Sequence, residues 1–437
     1  MSVIYRAKYL LPMTDAESIE NGEVWVENGR IREVGQAITN FRPEAEVCDL
    51  GEAAILPGFV NAHSHIDPTL RRNSIDGLNL WDWLRELGFR RDTVPGPDLL
   101  LASARLGAAE CARSGITCMG DCTISEAALD AIESVGLRGV VYKEVFGQTM
   151  GNQYQERMVY AVDEVVQLQE RCSERLRIGL SPHSVYTSTP EVLKLCAEAC
   201  AESHIPISVH LAETFAESDY TRLGVGPIAD MRRESFGHEP MVSGLRPVRV
   251  LEEAGLLREG VSLAHCVHLT EDEIDLVARS GASIAHCPRS NAYLGAGIAP
   301  LRRFLQAGAR IGIGTDSAAS CLTLDFFEEM RFALAIHRAV AEDASTLLAK
   351  DVLKLATRGG AEALGLGNEI GRLEPGMRAD MIAVGLGDML PGEDIHLAVL
   401  SKSPADVILR MVDGARIQPD VEARAAELRE LMETEIG

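Results

Sequence analysis

Eight short apolar runs, each ending in polar residues, constrain this chain more than any other feature. They are "ILPGFVNAHSH" (55–65), "GITCMGD" (115–121), "LRGVVYKEVFG" (137–147), "LRIGLSPHS" (176–184), "IPISVHLAE" (205–213), "VSLAHCVHL" (261–269), "GASIAHCP" (281–288) and "ARIGIGTDS" (309–317). Helical patterns such as "PEVLKLCAEACAES" (190–203) and "TEDEIDLVARSG" (270–281) separate most of them. Near-continuous apolar strands alternating with helices predict parallel strands covered by helices. Polar residues close several of the runs rather than meeting at one crevice. That distribution predicts an α/β fold of the (β/α)8 TIM-like type rather than an open sheet.

The flanks follow a different pattern. "GEVWVENGRIREVGQ" (22–36) alternates about an Asn28-Gly29 turn and predicts a hairpin. Short strand-like runs return in "IGRLEPGMRADMIAVG" (370–385) and "PADVILRMVDGARI" (404–417). Residues 1–55 and 370–420 are therefore expected to form one small β-sandwich domain from both termini, with the barrel, 56–369, inserted between them. The tail 421–437 reads as an amphipathic helix.

Composition narrows the partners. Asp and Glu total 65 against 42 Lys and Arg, a net charge of −23, which repels nucleic acid and anionic membranes. The N-terminal residues lack the apolar core of a signal peptide, and no apolar run is long enough to span a bilayer. The 10 cysteines include no C-x-x-C pair, so reduced thiols and a cytoplasmic location are expected.

A barrel of this kind carries its active site at the C-terminal ends of the strands. Those positions here hold His63, His65, His183, His210, Glu213, His265, His268, His286 and Asp316, which include most of the chain's 11 histidines. Residues i and i+2 of a strand face one side, so His63-x-His65 puts two imidazoles on one wall of the mouth. With His210 and Asp316 they make a donor set suited to zinc or ferrous iron, open to a water that the metal would ionise near neutrality.

"PGFVNAHSH", "HLAE", "LAHCVHL", "HCPRSN", "GTDS" and "LEPGMRADMIAV" occur in the order found in the amidohydrolase superfamily, which the chain resembles over nearly its whole length. The resemblance is to the metal-dependent aminohydrolase and chlorohydrolase branch. Within it, the nucleoside-type deaminases stand out, those acting on adenosine-like compounds, S-adenosylhomocysteine, methylthioadenosine or aminodeoxyfutalosine. It implies that His63, His65, His210 and Asp316 bind the metal, that Glu213 shuttles protons, and that His265 holds the activated hydroxide. It also implies turns at Pro57-Gly58 and Pro375-Gly376, and dimers are common among such relatives. Binuclear relatives use a carboxylated lysine at the fourth strand, where this chain offers His183. Lys143, at the third strand, reads as a residue facing the helix layer or solvent. One divalent metal, zinc ahead of iron, is the expectation.

The implied reaction is hydrolytic removal of ammonia from an aminated heterocycle, most of all an adenine-type nucleoside. The alternative is cleavage of another C–N or C–Cl bond on the same scaffold, in a chlorohydrolase, a guanine or pterin deaminase or a cyclic amidase. Candidate contacts for the small heterocyclic substrate are His183, Trp81, Trp83, Glu144, Gln148, Asp67, Ser290 and Asn291, with His286 beside them. Asp67 and Cys321 depart from the residues usual at their positions, and Asp67 is the candidate for reading a cationic or hydroxyl-rich group.

Overall fold

The computed structural model describes residues 2–42, 44–89, 95–147 and 154–436. Five strands come first: β1 (Ser2–Leu10), β2 (Ile19–Glu27), β3 (Arg30–Gln36), β4 (Glu46–Asp49) and β5 (Ala53–Pro57). β2 and β3 pair antiparallel about Asn28 and Gly29, whose φ values of 51° and 76° are those of the primed hairpin turn the Asn-Gly pair predicts.

Nine parallel strands follow: β6 (Phe59–His65), β7 (Ile116–Thr123), β8 (Arg138–Glu144), β9 (Leu176–Ser181), β10 (Ile207–Leu211), β11 (Val261–His265), β12 (Ser283–His286), β13 (Arg310–Ile313) and β14 (Asp316–Ser317). Each pairs with the next from β6 to β13, while β14 pairs back onto β6. β13 and β14 are two pieces of one eighth strand, interrupted at Gly314 and Thr315, and their separate pairings close the sheet into a barrel. A Cβ on Gly314 would lie 2.9 Å from both His63 N and His63 O, so only glycine lets the strand pass this point.

β15 (Met381–Gly385), β16 (Val407–Val412) and β17 (Ala415–Arg416) complete the other sheet. Its order is β17-β16-β15-β5-β1-β2-β3, with β4 alongside β1, so strands from both flanks form one mixed sheet. The helix Val421–Ile436 packs Val421 and Leu428 against Leu99, Ala102 and Leu106 of the helix Pro97–Arg113. Among the described residues no helix is long and apolar enough to cross a membrane.

The barrel is filled by Val60, Cys118, Cys122, Val140 and Tyr142, packed against Ala361, Leu364 and Leu366 from the segment after the last barrel strand. Phe59 instead faces the helix layer, against Phe326 and Phe327. Strict alternation from Val60 inward would carry Ala62 and Ser64 inward too, and turn His63 and His65 out. The β6–β7 ladder shifts register between Asn61 and Ser64, and this irregularity re-aims the strand so that both histidines reach the mouth.

The two sheets meet at a buried charge network. Arg138, 2% exposed, donates to Asp380 at 2.7 and 3.2 Å and to Asp413 at 2.7 Å. Asp413 also receives Arg378 at 2.8 Å and Arg175 at 3.2 Å. Beside it Gly58 N donates to Asp380 O at 3.1 Å, and a Cβ on Gly58 would fall 2.0 Å from Thr117 Oγ1. Replacing Arg138 by leucine strands the Asp380 carboxylate without its partner, and removing one member of a buried pair costs about 3–5 kcal/mol. Urea unfolding of the variant is expected to show a loss of that order.

Candidate active site

The residues at the barrel mouth are organised by where their ring protons sit. His65 Nδ1 donates to Cys122 O at 2.8 Å, and His210 Nδ1 donates to His183 O at 3.1 Å. A carbonyl only accepts, so both rings carry a proton on Nδ1; burial holds His210 neutral with a bare Nε2, while for His65 the Glu144 and Asp316 carboxylates outweigh burial and raise it. The two Nε2 atoms face each other at 3.2 Å. His63 Nε2 is buried and has no hydrogen-bond partner among the described residues. Asp316 Oδ1 lies 3.7 Å from His65 Nε2 and 4.0 Å from His63 Nε2. Burial, helped by the neighbouring imidazoles, holds His63 and His210 well below the usual histidine range, so both are neutral.

Lone pairs pointed at one another repel unless a cation lies among them. Two nitrogens on one tetrahedral zinc sit about 3.4 Å apart, given Zn–N bonds of about 2.0–2.1 Å. The set of three imidazoles and one carboxylate therefore fits a divalent metal.

Beside this nest, Glu213, His265 and Asp316 bring ligand atoms within 4.8 Å of one another. Asn291 Nδ2 donates to His265 Nδ1 at 3.0 Å and to Glu213 Oε1 at 3.3 Å. With Nδ1 accepting, the His265 proton rests on Nε2. Burial pushes the Glu213 carboxyl well above the ordinary range, with Asp316 and Glu217 adding to the shift. Burial also draws His265 down to about 4. Asp316 is held by hydroxyls: Ser290 donates to Oδ2 at 2.5 Å and Ser320 at 3.1 Å, leaving Oδ1 for the imidazoles.

Two anchors of this arrangement went unread in the sequence. Arg289, 4% exposed, is tied to Glu329 at 2.7 Å and Glu328 at 2.8 Å, which fixes the turn bearing Ser290 and Asn291. It lies inside "HCPRSN", next to Ser290 and Asn291. Asn61 receives Thr315 N at 3.0 Å and donates to Thr315 Oγ1 at 2.8 Å, setting the break before Asp316. No sequence pattern announces that pairing across the barrel seam.

The candidate substrate contacts fall into groups. His183, with Phe146 at 4.6 Å and Tyr186 at 5.8 Å between ring centroids, stands at the mouth, and its Nδ1 bonds Thr187 Oγ1 at 2.8 Å. Glu144, His183 and His210 place ligand atoms within 4.8 Å of one another, but the single bare nitrogen of His210 already faces His65. Trp81 lies edge-on to Tyr186 at 5.1 Å and donates to Thr214 Oγ1 at 3.1 Å. Trp83 is buried in the apolar cluster of Leu80, Trp81, Tyr186 and Tyr220. Asp67 is 6% exposed, and one of its oxygens accepts from Thr123 and Ser125, so it holds the first loop to the end of β7. Ser290 and Asn291 act on Asp316, Glu213 and His265 as described.

His286 corrects the expectation: it is the outward residue of its strand and meets His337 Nε2 of the helix Phe326–Ala341 at 2.8 Å, away from the mouth. His268 bonds Ala296 O at 2.7 Å. Lys143 pairs with Glu164 of the helix Tyr154–Arg171, in the helix layer as expected. Cys321 is buried, with Arg289 Nη2 3.8 Å from its sulfur. Gln148 lies outside the described residues.

Residues 54–417 match the model of the amidohydrolase family. A 5-methylthioadenosine/S-adenosylhomocysteine deaminase of Nitratidesulfovibrio vulgaris is 37% identical over 387 residues, 88% of this chain and 83% of that one. A protein of the same description from Pelotomaculum thermopropionicum is 33% identical over 422 residues, 94% and 92% of the two chains. The crystal structure of an adenosine deaminase from Xanthomonas campestris with bound zinc superposes with a TM-score of 0.85 at 28% identity, covering 99% of this chain and 98% of the other.

Removing the hydroxyl that braces Asp316 tests the donor set. Ser290→Ala is expected to weaken zinc binding about 10- to 100-fold, the usual cost of losing a partner of a metal-binding carboxylate. Competition with a chromogenic chelator measures it, and unchanged affinity would remove Asp316 from the set.

Proposed function

The chain belongs to the amidohydrolase family, and on that premise we propose a hydrolytic deaminase that releases ammonia from an adenine-type nucleoside. His63, His65, His210 and Asp316 hold one divalent metal, zinc before iron. The observation that carries the reading is Asn291, whose amide keeps the Glu213 carboxyl and the His265 ring together next to Asp316. That is the arrangement hydrolysis of an amidine-type C–N bond requires: a nucleophilic oxygen, a base to take its proton and an acid for the ring.

The metal, when bound, supplies Lewis acidity that lets a water ionise near neutrality. Asp316 Oδ1 takes the proton that the water gives up. His265, with its proton on Nε2, orients the attacking oxygen toward the ring carbon bearing the amine. Glu213, held protonated by burial, donates to the adjacent ring nitrogen, so the carbon accepts the new C–O bond without building an uncompensated anion. Asp316 passes the proton it took to the exocyclic nitrogen, the C–N bond breaks and ammonia leaves, and the proton of the added hydroxyl returns to Glu213 as the carbonyl forms. Phe146, His183, Tyr186 and Trp81 form a row of rings suited to a flat purine.

The relatives support a nucleoside carrying an adenine base, since they are described as deaminases of methylthioadenosine and S-adenosylhomocysteine or of adenosine.

Ammonia release is expected from adenosine, its 5′-substituted analogues or both, and not from guanine, pterins or aminotriazines. Silence on every adenine nucleoside with turnover of another class would overturn the substrate reading. Glu213→Gln is expected to lower kcat by about 10²–10⁴-fold, the range for losing a general acid, with metal content by elemental analysis unchanged.

A further inference from the structure

Glu217 is a buried carboxylate that the proposed reaction does not use. It is 1% exposed, and among the described residues no arginine or lysine pairs with it. Its acceptors are filled by the backbone that carries Glu213. Ala212 N donates to Oε2 at 2.8 Å, Glu213 N to Oε1 at 2.7 Å, and Thr214 N to Oε1 at 3.2 Å.

A helix cap explains only the last of these. The helix Phe215–Leu223 has Thr214 as its N-cap, and Glu217 occupies the position from which a capping glutamate reaches back to that residue. The same device recurs at the helix Glu271–Ser280, which supplies an internal comparison. There Glu273 takes Thr270 N at 2.8 Å, and its other oxygen goes to Arg246 at 2.8 Å. Glu217 differs in that its two shorter bonds reach past the cap, to Ala212 and Glu213, and no cation balances it.

The segment so held is an unusual one. Ala212 has φ of 49°, in the left-handed region that a residue with a Cβ enters at a cost of about 1–2 kcal/mol. Its carbonyl accepts from Val267 N at 3.1 Å and His268 N at 2.9 Å, in the loop just after His265. The turn between His210 and Glu213 is therefore clamped on both sides, its N–H groups by Glu217 and its carbonyl by the β11 loop.

We propose that Glu217 is the positioning residue of the reaction, a carboxylate that fixes the backbone turn on which Glu213 delivers its proton. This rests on the assignment of Glu213 as the proton donor. Glutamine cannot replace Glu217. One amide oxygen serves the Glu213 and Thr214 donors, and the amide NH2 is then left facing the Ala212 N–H.

The test combines kinetics with amide exchange on the zinc-loaded enzyme, using Glu217→Gln and, as a milder change, Glu217→Asp. In both variants kcat on the best adenine nucleoside is expected to fall at least tenfold, while KM and zinc content stay within twofold. The double variant E213Q/E217Q is expected to be no slower than E213Q alone, because Glu217 acts only through Glu213. Hydrogen–deuterium exchange of the peptide spanning 210–216 is expected to quicken at least tenfold in Glu217→Gln, with barrel strands elsewhere unaffected. Unchanged kcat, a further loss in the double variant, or unchanged exchange of that peptide would overturn the proposal. If the wild-type enzyme releases no ammonia from any nucleoside, the functional reading fails, and the exchange experiment still decides whether Glu217 holds the turn.

Discussion

The site depends on a closure made by two residue pairs. Asp316 lies opposite Ser64 and Ser317 opposite His65, and these are the contacts that join the last barrel strand to the first. The eighth strand reaches them only by breaking at Gly314 and Thr315, so that β13 stays with β12 while β14 crosses to β6. The break does more than close the sheet. It carries a carboxylate into the one wall that already holds two imidazoles, and Asn61 pins it there. Without that crossing, the carboxylate and the H-x-H pair would sit on opposite edges of an open sheet.

Around this closure the protein spends conformational strain where chemistry needs direction. His183, Ala212, His265, Cys266 and Asp316 all have positive φ between 49° and 74°, and each stands at or just beyond a strand end. Left-handed backbone at non-glycine residues persists only when the surroundings over-determine it. The surroundings do so here. His183 O receives both His210 N at 2.7 Å and His210 Nδ1 at 3.1 Å. Arg289 with Glu329 and Glu217 with the 212–214 amides hold the two turns that bear Asn291 and Glu213. Rigid second contacts of this sort let a cluster of imidazoles keep their Nε2 atoms aimed at one point.

Much of this was legible in the sequence because it follows short-range rules. Alternating apolar runs announce the barrel, the Asn28-Gly29 pair announces the hairpin, and histidines at strand ends mark residues that the fold brings together within ligand distance. Register was not legible. The shift between Asn61 and Ser64 is set by the neighbouring strand, so His63 and His65 face inward through a feature that i, i+2 spacing cannot display. The same limit explains His286. A histidine ending an apolar run looks like a mouth residue, but its strand presents Ala285 to the barrel and His286 to the helix that carries His337. Asp67 and the serine–asparagine pair after β12 are polar residues near the mouth, and the hydrogen bonds they make to Thr123, Ser125, Asp316, Glu213 and His265 follow from the folded arrangement of loops, which spacing cannot display.

The mixed sheet built from both flanks also has a consequence in time. β5 pairs with β1 early in the chain, yet its other edge waits for β15, with Ala54 opposite Val384 and Leu56 opposite Ile382. At ribosomal rates of about 5–20 residues per second, that edge stays open for roughly 15–65 seconds after β5 emerges. An unpaired apolar edge is a template for wrong pairing. The buried Asp380 and the half-buried Asp413 that later receive Arg138 arrive with the same late segment. Synthesis speed and chaperone capture during that interval thus bear on the yield of folded protein, independently of how stable the finished barrel is.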